Sequence, residues 1–126
     1  MSYLFVYGSL KRDCSNHYII ERLNYVGEYY TKEEYYKEGN CVYKTASDNY
    51  TKPPQKVLGE LYELRKHFIP SVDRFELHPK LFHRELIYVL DKVNQEQKLS
   101  YIYFKTGSCE STDVDNADST SDTGSG

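Results

Sequence analysis

Two stretches of this chain hold residue types at a spacing that chemistry needs. Tyr7-Gly8-Ser9-Leu10 follows the apolar run Tyr3-Leu4-Phe5-Val6, so a buried strand breaks there into a tight turn. Glycine at that point allows a positive φ or lets another group approach the main chain closely. The amides of Gly8, Ser9 and Leu10 then leave the strand ladder and are free to converge on a carboxylate or phosphate. The second stretch is Val72-Asp73-Arg74-Phe75-Glu76-Leu77. Glu76 stands between an aromatic residue and a leucine, where desolvation raises a carboxyl pKa toward the range that suits proton transfer. Each stretch has a plainer alternative: a structural turn for the first, a solvated carboxylate at a helix end for the second.

The remaining chemical candidates are weaker. Ser9 lacks the Gly-x-Ser-x-Gly elbow of a covalent nucleophile. His17 has no partner near it in sequence to orient it, and reads as a partly exposed helix residue. Cys14, Cys41 and Cys109 are odd in number and form no CxxC pair or zinc spacing, so no metal is expected. Unpaired cysteines in this pattern fit a reducing compartment.

These residues need elements to position them. Ser15-Asn16 is placed to cap a helix running to about Leu23, with Tyr18, Ile19 and Leu23 on one side. Its amino-terminal end would add to an anion site at the Gly-Ser turn. Tyr25–Thr31 reads as a strand with Gly27 as a bulge, and Asn40–Tyr43 as a short strand. The segment from Lys32 to Glu38 mixes tyrosines with both charge signs and reads as a solvated strand or loop face. Residues 45–55 are loop by their Ser-Asp-Asn and Pro-Pro content. Val57–Leu64 is a strand in which Gly59 marks a bulge or close backbone contact. Phe68, Val72 and Phe75 fall on one helical face, with Pro70 tolerated in the first turn and His78-Pro79 as the stop. Leu81–Leu90 and Lys98–Lys105 form a hairpin. Strands dominate and helices are few, which gives an α+β domain.

Composition sets the outer limits. At 126 residues the chain forms one domain with a core of its own. Net charge is −3, but residues 107–126 hold five acids and no Lys or Arg. That acidic, Ser/Asp/Gly-rich stretch reads as a flexible tail, leaving 1–106 as the folding domain. Residues 1–106 then carry 16 basic and 14 acidic side chains, a net +2, too weak a field to suggest nucleic acid as partner. No run approaches the roughly 20 apolar residues that span a bilayer. The start of the chain shows no basic leader or cleavage pattern. A cytoplasmic protein without membrane or nucleic-acid partners is expected.

Taken together, Tyr7-Gly8-Ser9-Leu10-Lys11-Arg12, Gly59-Glu60-Leu61-Tyr62, Val72-Asp73-Arg74-Phe75-Glu76 and Pro79-Lys80-Leu81-Phe82-His83-Arg84 stand in a telling order. The series resembles the gamma-glutamyl cyclotransferase-like family, and most of all its gamma-glutamylamine cyclotransferase and avirulence-induced-gene-like branch. The resemblance spans about residues 3–104. It implies a small, mostly antiparallel barrel-like sheet with flanking short helices. It also implies a cofactor-free reaction on a small γ-glutamyl substrate, such as γ-glutamyl-ε-lysine, releasing 5-oxoproline and an amine. Free γ-glutamyl amino acids are the alternative substrates, and a non-catalytic binding module of the same fold is the alternative function. Glu76 would be the catalytic acid and base. Tyr7, Gly8, Ser9, Leu10, Arg84 and Tyr103 would contact substrate, although an internal salt bridge for Arg84, with Asp73 as a partner, suits it equally. Phe82 stands where relatives commonly have tyrosine, and the 32–54 loop, which would shape one wall of the pocket, departs from them; both leave the leaving group open. Monomer and homodimer are both compatible with the sequence.

Overall fold

Period-two alternation sorts each long strand into two faces, and the two faces build two cores. The strands are Ser2–Val6 (β1), Tyr25–Thr31 (β2), Tyr36–Glu38 (β3), Cys41–Tyr43 (β4), Leu58–Leu64 (β5), Phe82–Asp91 (β6) and Gln97–Lys105 (β7). The structure, a computed structural model, describes residues 2–109. From residue 110 the acidic stretch read as a tail lies outside the described residues. Before it, Cys109 is buried, donating its N–H to the Thr45 carbonyl and accepting from the Ser47 N–H, each at 2.9 Å.

Five strands close into a barrel in the order β1-β5-β2-β6-β7. Every neighbouring pair is antiparallel except β1 and β7, which meet in parallel with Leu4 opposite Tyr101. Phe5, Tyr29, Leu61, Val89, Ile102 and Phe104 come from all five strands and fill the interior. Their neighbours Leu4, Val6, Tyr62, Leu64 and Tyr103 point the other way, under a layer made by Leu10, Ile20 and Val72. Gly59 answers to close approach: a Cβ there would collide with the Val6 carbonyl oxygen and the Phe5 ring. The bulge expected at Gly27 is present, as a register shift between Tyr25 and Gly27 against β5. Strands β3 and β4 form a separate two-stranded ribbon turning at Gly39-Asn40.

One α-helix occurs among the described residues, Ile69–Glu76 (α1). Eight residues are too few for a helix to persist in water by itself, so packing must hold it. Val72 is buried, and Phe68, Ile69 and Phe75 pack with it onto the outer core, at the spacing expected. Pro70 sits in the first turn, where its missing N–H costs nothing. Leu77 ends the helix in a left-handed conformation (φ 56°), and the His78 N–H closes the terminus on the Asp73 carbonyl at 2.9 Å.

The helix expected from Ser15-Asn16 to Leu23 does not form. That segment is a string of turns with one 3₁₀ turn, His17–Ile19. Its hydrogen bonds run i→i−3, from Cys14 to Lys11, His17 to Cys14, Ile20 to His17 and Leu23 to Ile20. The side chain of Asn16 caps nothing, because its Nδ2 donates to Ser9 Oγ at 2.9 Å. No helix terminus therefore reinforces the Gly-Ser turn.

Candidate active site

The turn after β1 leaves the barrel between the ribbon and α1. A Cβ on Gly8 would come within 2.9 Å of the Asn40 carbonyl oxygen, so glycine here serves close approach of the ribbon. The turn is closed by Lys11 N–H to the Gly8 carbonyl (3.1 Å) and Asn16 N–H to the Ser9 carbonyl (3.0 Å). Among the described residues the N–H groups of Gly8, Ser9 and Leu10 donate to no backbone acceptor. Three donors held in one rigid turn are suited to a carboxylate.

These residues line a cleft of about 280 Å³ with Glu76, Tyr7 and Tyr103. Phe5, Phe75, Leu81 and Phe82 make its apolar walls, and Asn16, Asn40 and Cys41 complete it. Glu76 is the unusual member. It has no hydrogen-bond or ion-pair partner among the described residues, and burial alone pushes its carboxyl up to about 7. Burial first, then the nearby Glu76, raises the Tyr7 phenol far above its ordinary range, so it stays a protonated donor.

A partly buried polar chain fixes α1 against the sheet. Tyr7 OH donates to the Tyr103 carbonyl, Tyr103 OH donates to Asp73 Oδ1, and Arg84 Nη1 donates to Asp73 Oδ2. Burial works against the Asp73 charge, but the bonds from Arg84 and Tyr103 outweigh it and hold the carboxyl below the usual range. Asp73 lies one helical turn before Glu76. Its anchoring therefore orients α1 while leaving Glu76 without a partner.

Six of the seven residues expected to act on substrate come together in the cleft: Tyr7, Gly8, Ser9, Leu10, Glu76 and Tyr103. Arg84 does not line it. Its guanidinium is taken by Asp73 and lies 5.6 Å from the Tyr101 ring centroid, so its role is the internal salt bridge. His17 stays outside the cleft, its Nδ1 2.9 Å from the Leu10 carbonyl oxygen. Asn40 and Cys41 belong to the 32–54 loop, which does form part of the cleft wall as expected, although the sequence singles out neither residue; sequence reasoning missed Asn16 as a cleft residue. Gly39-Asn40 between two short alternating runs signals a hairpin, but nothing in the sequence says that the hairpin folds over the turn after β1. Among the described residues no group of three or more His, Cys, Asp or Glu is placed to hold a metal ion, and no helix is long and apolar enough to cross a membrane.

Comparison with known proteins agrees with this architecture. The family described as gamma-glutamyl cyclotransferase, AIG2-like, matches residues 4–122. A protein of Methanocaldococcus jannaschii, named provisionally as a gamma-glutamylcyclotransferase, is 28% identical over 111 residues, covering 86% of this chain and 88% of its own. The crystal structure of an AIG2-like protein from Mus musculus superposes with a TM-score of 0.65 at 23% identity, over 84% of this chain and 78% of that one. YkqA of Bacillus subtilis gives 0.63 at 25% identity, over 85% of this chain, which spans only 36% of that longer protein. By the match of its sequence over nearly the whole barrel, this chain belongs to the gamma-glutamyl cyclotransferase, AIG2-like family of enzymes.

Proposed function

We propose that the protein releases 5-oxoproline and a free amine from a γ-glutamylamine, of which γ-glutamyl-ε-lysine is the representative. The observation that carries this reading is Glu76: a carboxyl in the cleft wall, without a partner, and poised near neutrality by burial. The substrate supplies both nucleophile and electrophile, so ring closure needs positioning and proton transfer rather than an external nucleophile. The free N–H groups of Gly8, Ser9 and Leu10 hold the α-carboxylate. Ionised Glu76 takes a proton from the α-ammonium. The freed amine attacks the γ-carbonyl carbon, forming the ring C–N bond. Protonated Glu76 then returns its proton to the departing nitrogen as the original amide C–N bond breaks. The regenerated carboxylate takes the second proton from the ring nitrogen and passes it to the released amine, leaving the neutral lactam and an ammonium. A carboxyl near pH 7 suits both halves of that exchange. An inert binding module would be expected to neutralise a buried carboxylate with a donor, and Glu76 has none among the described residues.

The test is 5-oxoproline release, followed by chromatography, from γ-glutamyl-ε-lysine and from a γ-glutamyl-α-amino acid. Wild type is expected to release product and Glu76→Gln to lose at least a hundredfold in rate, in line with removal of a general base. Equal rates for the two proteins would remove Glu76 from the mechanism. Absence of product with folded wild type would leave the binding module.

A further inference from the structure

We propose that Asn16 is a positioning residue that holds the Ser9 hydroxyl as a hydrogen-bond donor to the γ-carbonyl oxygen of the substrate. The inference rests on the cyclotransferase reading and supplies a donor for the atom that gains charge as the ring closes. When the amine adds, the γ-carbonyl oxygen becomes negative, and a fixed donor aimed at it lowers the barrier. Three side-chain hydroxyls line the cleft, those of Tyr7, Ser9 and Tyr103. Tyr7 OH is spent on the Tyr103 carbonyl, and Tyr103 OH on Asp73. The Ser9 hydroxyl alone donates to nothing among the described residues.

Asn16 decides what that hydroxyl can do. A serine oxygen has one proton to give and two lone pairs to offer. Asn16 Nδ2 donates to Ser9 Oγ at 2.9 Å, which occupies a lone pair and leaves the proton for another acceptor. The main chain tightens the same contact, with the Asn16 N–H on the Ser9 carbonyl at 3.0 Å. One residue further on, His17 Nδ1 lies 2.9 Å from the Leu10 carbonyl oxygen; that oxygen only accepts, so this nitrogen carries its proton. Three bonds from Asn16 and His17 thus brace Ser9 and Leu10. Because Asn16 and Ser9 both line the cleft, the acceptor that the hydroxyl lacks within the protein can come from a ligand bound there.

The experiment reverses that hydrogen bond. Asn16→Asp keeps the size of the side chain but replaces its donor with an acceptor, so the Ser9 proton turns to residue 16 and away from substrate. Asn16→Ala only frees the hydroxyl to rotate. Release of 5-oxoproline from γ-glutamyl-ε-lysine is compared for wild type, both Asn16 variants, Ser9→Ala and the Ser9→Ala/Asn16→Asp double variant. A circular-dichroism melt shows that each is folded. Ser9→Ala and Asn16→Asp are each expected to lose about a hundredfold in kcat with little change in KM, the effect of removing one donor to an oxyanion. Asn16→Ala should lose about tenfold, the worth of one hydrogen bond. The double variant should match Ser9→Ala within about twofold, because Asn16 acts only through the hydroxyl. Should Asn16→Asp not fold, Asn16→Ala in the wild-type and Ser9→Ala backgrounds reads the same coupling. A merely structural role would make Asn16→Ala the worse Asn16 variant, since it removes more contacts. That order, Asn16→Asp at the wild-type rate, or costs that multiply in the double variant would each overturn the inference while leaving the cyclotransferase reading intact. Ser9→Ala with kcat kept and KM raised would overturn it too, by assigning the hydroxyl to the α-carboxylate. No product from folded wild type would bring down both.

Discussion

Glu76 should cost the fold stability for as long as it is ionised, and Glu76→Gln should recover it. Burial lifts its pKa from the usual 4.5 to about 7 in the folded protein. In the unfolded chain the carboxyl loses its proton near 4.5, so between 4.5 and 7 the folded state binds more protons than the unfolded one. Stability therefore falls as pH rises through that window and levels off above it. A tenfold change in proton affinity is worth about 1.4 kcal/mol, which puts the full rise at about 3 kcal/mol. Partial solvent access to the side chain lowers the expected effect to about 2 kcal/mol. Glutamine has the same shape and no charge, so at pH 8 the variant should be more stable than wild type by that amount, with the gap closing near pH 4.5. Urea titration of both proteins at pH 4.5 and pH 8 reads the difference directly, as a shift in midpoint at constant slope. The same ionisation should govern turnover, with wild-type kcat/KM falling about tenfold for each pH unit below 7. Equal stabilities at pH 8, or a variant weaker than wild type there, would show that Glu76 is solvated or paired and would refute its assignment as a desolvated base.

Three further outcomes follow from the geometry. Asp73→Asn should lower stability by about 2–3 kcal/mol in thermal or urea unfolding, because it weakens two charge-assisted bonds in a partly buried network. It should also lower kcat more than it raises KM, since α1 carries Glu76. The low pKa of Asp73 has its own sign: its contribution is complete above the ordinary carboxylate range and is lost on acidification, so the wild-type advantage over Asp73→Asn should shrink toward pH 3. Gly59→Ala should abolish soluble, folded protein in a circular-dichroism melt, since the added methyl meets the Val6 backbone and a fully buried Phe5 ring.

The sequence carried most of the local structure because local structure depends on near neighbours. Alternation in Leu81–Leu90 and Lys98–Lys105 was enough to name the β6–β7 hairpin, and the Phe68, Val72, Phe75 spacing enough to name the helix face. Composition showed that the acidic excess is confined to residues 107–126, with residues 1–106 nearly neutral. The ordered motifs from Tyr7 to Arg84 pointed to the family, and the resemblance, with Tyr103 added, to six of the residues that line the cleft. Segment 15–23 failed for a traceable reason. A helix there needed Asn16 as its cap, and a contact with Ser9, seven residues away, claimed the side chain instead.

Tertiary structure decided what depends on residues far apart in the chain. Periodicity tells which side of a strand is apolar, not which strand lies beside it, so closure of the barrel through Leu4 and Tyr101 had no local signal. Arg84 suited a substrate contact or a salt bridge equally well until folding set its guanidinium on Asp73 and off the cleft. Asn40 and Cys41 joined the site only because the ribbon packs on Gly8. Glu76 shows the division most plainly. The sequence supplied a carboxyl next to a phenylalanine, but its proton affinity is set by how much water the surrounding walls exclude, and those walls come from four separate parts of the chain.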